Sequence, residues 1–180
     1  MGVELNADDV FEMAEQIEKD ASAFYLHAAG ASADPSCRQA LLKLAAMEDE
    51  HVLVFGAMKT HLAGQGWTRA PVEGGNEIAE NWALLTNLLA SGVKEHLAEY
   101  FASPATSQGI LQKAIEFEKD TIVFLAGMKN LLPDSAEKER VEGILREEVG
   151  HIITLAGELA AKAMIRRDRS TGAAEAPGSP

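Results

Sequence analysis

Two short stretches put a glutamate three residues ahead of a histidine: "AMEDEH" carries Glu48 and His51, and "REEVGH" carries Glu148 and His151. Residues three apart on a helix share a face, so a carboxylate and an imidazole spaced this way can reach one interior point. Carboxylate oxygen and imidazole nitrogen together suit a divalent first-row cation such as iron or manganese. A lone Glu-x-x-His would read most simply as a solvated helix face. Here the two copies lie 100 residues apart, and the same shift superposes more of the chain. "IEKDASAF" at 17–24 returns as "FEKDTIVF" at 117–124, which sets Glu18 on Glu118. Of the five histidines, only these two have a glutamate three places earlier, and they are the repeat-related pair.

The surroundings of these residues decide their meaning. Each of the six sits where helix packing would otherwise place Leu or Ile. The first seam reads Phe11, Ala14, Glu18, Ala21, Tyr25, Ala28, and the second reads Leu41, Leu44, Glu48, His51, Phe55, Met58, Leu62. The third is Leu111, Ala114, Glu118, Thr121, Leu125, Met128, Leu132; the last is Val141, Ile144, Glu148, His151, Leu155. A 3-4 alternation of this kind is how helices pack in bundles. Four carboxylates with two neutral imidazoles would bring a formal charge of −4 into that interior, with no Lys or Arg on the seams to offset it. Burying even one unpaired ion costs several kcal/mol. Two divalent cations would cancel the charge.

These seams predict an all-α fold, an antiparallel four-helix bundle made of helix pairs at 8–62 and 104–165. "SADPS" at 32–36 separates the first two helices and Pro133 stops the third. The 63–103 connection is far longer than the others, so helices two and three are expected to run parallel. A short extra helix, 76–101, is expected within this crossover, with Trp82 covering the bundle surface. Residues 166–180, "RRDRSTGAAEAPGSP" from Arg166 onward, have little to bury and read as a disordered tail.

Composition narrows the function classes. The chain has 180 residues, enough for one domain with a substantial core. A net charge of −12 argues against nucleic acid or anionic membrane as partners. No apolar run approaches the ~20 residues that span a bilayer. The opening "MGVELNADD" lacks the basic and apolar regions of a signal peptide, and a single cysteine, Cys37, excludes an internal disulfide. A cytoplasmic setting is the expectation.

The pieces "IEKDASAFY", "AMEDEH", "FEKDTIVF" and "REEVGH" resemble the rubrerythrin branch of the ferritin-like di-iron carboxylate proteins, over about 8–163. The resemblance implies a ferritin-like bundle with two iron ions in its core, manganese being compatible with the same donors. It implies Glu18 and Glu118 as carboxylate ligands, Glu48 and Glu148 as metal bridges, and His51 and His151 as one nitrogen ligand for each metal. The implied activity is a non-haem di-iron oxidoreductase of ferroxidase or peroxidase type, acting with Fe(II) and O2 or H2O2. Two features depart from the family. The paired Cys-x-x-Cys motifs of the rubredoxin module are missing, so electrons would come from a separate donor protein. The third helix has Thr121 where rubrerythrins have an extra glutamate.

Other polar groups near the seams have plainer readings. Tyr25 lies two turns beyond Glu18 and is expected to pack in the core with its hydroxyl on a nearby carboxylate, or to act beside the metals. Glu15 is an edge charge or a cation route. Asp20 and Asp120 point ~200° away from the ligand glutamates. His27, His61 and His96 lack the ligand spacing. A non-catalytic iron carrier and a purely structural bundle stand as alternatives. Pairing of two copies into a homodimer, with or without exchange of helix pairs, is compatible with the long crossover.

Overall fold

A computed structural model of the chain describes residues 7–66, 106–132 and 136–172. Among the described residues there are four helices and no strand: α1 (Ala7–Ala31), α2 (Pro35–Gly64), α3 (Ser107–Leu131) and α4 (Ala136–Gly172). The expected helix at 76–101, with Trp82 and His96, lies outside the described residues, as does 173–180.

Local chemistry sets the helix starts. Asp34 caps α2, its carboxylate accepting from the backbone N–H groups of Ser36 (2.9 Å) and Cys37 (3.2 Å). Pro35 follows at the first helical position, where its missing N–H costs nothing. Thr106 does the same for α3, accepting from Gly109 N–H at 3.1 Å. After α2 the chain turns at Gly66, whose φ of +77° is a backbone state that glycine adopts without steric cost.

Every seam residue named from the sequence is buried, on all four helices. The core they form also takes in Phe24, Cys37, Ile110, Phe117 and Phe124. Tyr25 packs edge-on against Phe24, with ring centroids 5.4 Å apart. Consecutive helices pack most extensively, α1 on α2 and α3 on α4, while α1 meets α3 and α2 meets α4 over thinner seams.

Contacts at the two ends fix the directions. Asp34 and Ser36, at the start of α2, meet Lys162 and Glu158 near the end of α4. His61, near the end of α2, meets Glu137 at the start of α4. Helices α2 and α4 are therefore antiparallel. Lys129 of α3 reaches Glu142 of α4 at 2.6 Å across their short connection, so α3 and α4 are antiparallel too. It follows that α2 and α3 run parallel, as the long connection predicted.

One boundary differs from expectation. Helix α4 continues to Gly172 and does not end at 165. The run "RRDRST" contains no glycine or proline, and arginine is a good helix former, so nothing in it breaks the helix before Gly172. Its low hydrophobicity was the wrong guide to where regular structure stops. No helix among the described residues is long and apolar enough to cross a membrane.

Candidate metal centre

At mid-height of the bundle the four helices deliver the six expected side chains to one place. Glu18 comes from α1, Glu48 and His51 from α2, Glu118 from α3, Glu148 and His151 from α4. All six are buried, none more than 3% exposed. Their positions follow directly from the seams: each replaces an apolar knob, and the 3-residue step on α2 and α4 stacks carboxylate and imidazole on one face.

Two donor sets result, each able to hold a metal ion. Glu18, Glu48, His51 and Glu148 offer one ligand atom apiece within 4.8 Å of one another, and so do Glu48, Glu118, Glu148 and His151. Glu48 and Glu148 belong to both sets. His51 Nδ1 lies 3.1 Å from Glu48 Oε2 and 3.0 Å from Glu148 Oε1, with Glu18 Oε2 at 4.0 Å. His151 Nδ1 lies 2.9 Å from Glu148 Oε2, 3.1 Å from Glu48 Oε1 and 3.4 Å from Glu118 Oε1. Each shared carboxylate thus turns one oxygen toward each histidine. The two rings stack with centroids 5.8 Å apart and planes 21° from parallel.

The residues could hold metal ions on two grounds. The donors are carboxylate oxygen and imidazole nitrogen, types that iron and manganese accept. In addition, both oxygens of Glu18, both of Glu148, one of Glu48 and both ring nitrogens of His151 are buried without a hydrogen-bond partner among the described residues. Short distances to His151 Nδ1 exist, but without hydrogen-bond geometry. Buried polar atoms are nearly always satisfied, and each orphan costs about 1–3 kcal/mol. The five carboxylate oxygens among them lie where the two donor sets meet and could serve as ligand atoms.

Electrostatics places protons on the imidazoles. For His51, burial lowers the proton affinity, but the carboxylates of Glu148 and Glu48 outweigh it and hold the pKa at about 11. Burial likewise opposes protonation of His151, and Glu118, Glu148 and Glu48 carry it up to about 12. Glu118 rises to about 8, through burial first and the neighbouring Glu148 and Glu48 next. Burial and the same two carboxylates push Glu18 well above the usual carboxylate range. Glu148 goes the other way, to about 2, because its contacts with His151 and His51 overcome the cost of burial. Without metal the cluster offsets its charge by holding protons, which incoming cations would displace.

Neighbouring groups complete the site. The Tyr25 hydroxyl donates to Glu118, and burial, followed by the Glu118 charge, holds the phenol well above its ordinary pKa. Thr121 is buried on the α3 seam and contributes a hydroxyl. Glu147 was not anticipated: its Oε2 lies 3.1 Å from His51 Nε2, the nitrogen facing away from the cluster. Its register puts it beside the seam, and no spacing rule singles it out.

The residues set aside in the sequence stay apart from this centre. Glu15 pairs with Lys19 at 3.0 Å on the helix surface, Asp20 accepts from Gln16 at 2.8 Å, and Asp120 and His27 are exposed. His61 joins Glu137 and Gln65 near the end of α2. Comparison with known proteins returned no family model, no curated protein and no solved structure that matches this chain.

Proposed function

We propose that this chain is a non-haem di-iron oxidoreductase resembling the rubrerythrin branch of the ferritin-like proteins. The observation that carries the reading is the overlap of two four-residue donor sets through Glu48 and Glu148. The parallel course of α2 and α3 supports a ferritin-like topology. Glu18, Glu48, His51 and Glu148 would hold one iron, and Glu48, Glu118, Glu148 and His151 the other, with manganese able to use the same donors. When bound, the pair would supply two electrons together for the reduction of O2 or H2O2.

The chain's own groups would do the rest. Glu48 and Glu148 would bridge, fixing the spacing between the two positions, while Glu18 and Glu118 close its outer sides. The imidazoles release their Nδ1 protons when they become ligands. Seam neighbours Ala14, Leu44, Phe55, Ala114, Ile144 and Leu155, all buried, keep bulk water from the centre. Tyr25 keeps a proton on its oxygen beside Glu118.

Thr121 favours a second reading, iron binding without turnover. It stands one turn from Glu118 and supplies no additional carboxylate. One experiment separates the two. Metal-free protein is loaded anaerobically with two equivalents of Fe(II), then challenged separately with O2 and H2O2 while absorbance and oxidant loss are followed. An oxidoreductase consumes oxidant much faster than free Fe(II) does, whereas a carrier binds the iron and leaves oxidant loss at the background rate. Failure to bind metal ends both readings.

A further inference from the structure

The internal repeat makes the two donor sets look interchangeable, but the groups around them are not. The outward nitrogen of His51 meets Glu147 Oε2 at 3.1 Å. The outward nitrogen of His151 is buried and has no hydrogen-bond partner among the described residues. The repeat explains the asymmetry: 100 residues before Glu147 stands Met47, whose thioether is at best a weak acceptor. A carboxylate on the outer N–H of a ligating histidine fixes the ring and makes its other nitrogen a better donor. Among the described residues, only the His51 position has that support.

The carboxylates differ in the same sense. Glu118 accepts the Tyr25 hydroxyl, so part of its negative charge is already engaged. Leu125 occupies the matching repeat position, and neither oxygen of Glu18 has a hydrogen-bond partner among the described residues. Finally, a cleft of about 220 Å³ between α2 and α4 is lined by Met47, Glu147, Gly150 and His151, among others. It reaches His151, and His51 is not among its lining residues.

We infer that the two metal positions are unequal. The Glu18/His51 position retains its cation tightly, and the Glu118/His151 position is the weaker one, exchanging through the α2–α4 cleft. Glu147 and Tyr25 act as positioning residues that create the difference. This inference rests on the two-metal reading above and adds an order of filling to it.

Titration of the metal-free full chain with Co(II), followed by its visible absorption and by competition with a chromophoric chelator, tests it. The expected isotherm has two steps at least about tenfold apart. Glu147→Gln should weaken the tighter step by about tenfold, the lower end for such outer partners because Glu147 is 55% exposed, and leave the weaker step in place. Met47→Glu, which supplies the missing acceptor to His151, should tighten the weaker step instead. Thermal unfolding of both metal-free variants should match the parent, separating a positioning role from a structural one. Two Co(II) ions bound with equal affinity, or Glu147→Gln weakening both steps alike or neither, would overturn the inequality and leave the two-metal reading standing. No Co(II) bound at all would sink the underlying reading.

Discussion

Histidine meets buried glutamate at mid-height of this bundle and again near the end of α2, and the two places are built differently. Near the end of α2, His61 Nδ1 lies 2.5 Å from Glu137 Oε1 and its Nε2 lies 3.1 Å from the Gln65 amide. Both ring nitrogens are engaged, half of the His61 side chain is exposed, and neither residue contributes an orphaned atom. At mid-height, two buried histidines face four buried carboxylates, and seven oxygen and nitrogen atoms there have no hydrogen-bond partner. A Glu–His contact is therefore no sign of a metal site. What distinguishes the centre is a concentration of buried carboxylate oxygens and imidazole nitrogens that lack hydrogen-bond geometry toward one another.

The strongest way to break this comparison is to remove a residue common to both donor sets. Glu48→Ala should reduce tightly bound metal from two ions per chain to less than one, by elemental analysis after loading and desalting, whereas His61→Ala should keep both. Next in size is stabilisation by metal. A ligand bound only by the native state at about 1,000 times its Kd contributes about 4 kcal/mol, or a rise in Tm on the order of 10 °C for a domain of this size. A calorimetric scan with Fe(II) under argon, then with chelator, should show the rise and its reversal in both the parent and His61→Ala. Glu48→Ala should show neither.

A third prediction uses pH. In the metal-free protein Glu118 titrates at about 8, above its usual 4.5, and His51 and His151 at about 11 and 12, above 6.5. Between pH 6.5 and 8 the folded state therefore binds more protons than the unfolded chain, so these groups make stability fall as pH rises. Metal affinity carries the opposite sign, because ligands must lose protons to bind. The Tm of metal-free protein should drop across that window while the increment added by metal grows. A Tm that rises with pH in the metal-free protein would break the account of the cluster as a proton store. The smallest effect belongs to the bundle's end. Asp34→Ala should cost about 1 kcal/mol by urea unfolding, equally with and without metal.

Most of the centre was legible in the sequence because two independent regularities coincide there. The 3-4 seam says which residues point inward, and the 100-residue repeat picks out six inward residues that are not apolar. Neither regularity carries information about how helices slide against one another. Glu147 lies one residue from a seam position, and only the approach of α4 to α2 brings it to His51. The His61–Glu137 pair likewise depends on register between helices that are not neighbours in the chain. The formal charge could be counted from the sequence, whereas the distances that let carboxylates hold protons on the imidazoles could not. The end of α4 was misplaced because burial was used to judge a segment whose helicity depends on propensity.

Each helix pair brings two of the clustered glutamates and one of the histidines, yet the pairs touch each other much less extensively than their own helices do. A pair of cations gripped from both sides would act as a clasp across that joint. Amide hydrogen exchange along α1 and α3 should then slow on loading, so the rigidity of the whole molecule would be governed by the supply of metal around it.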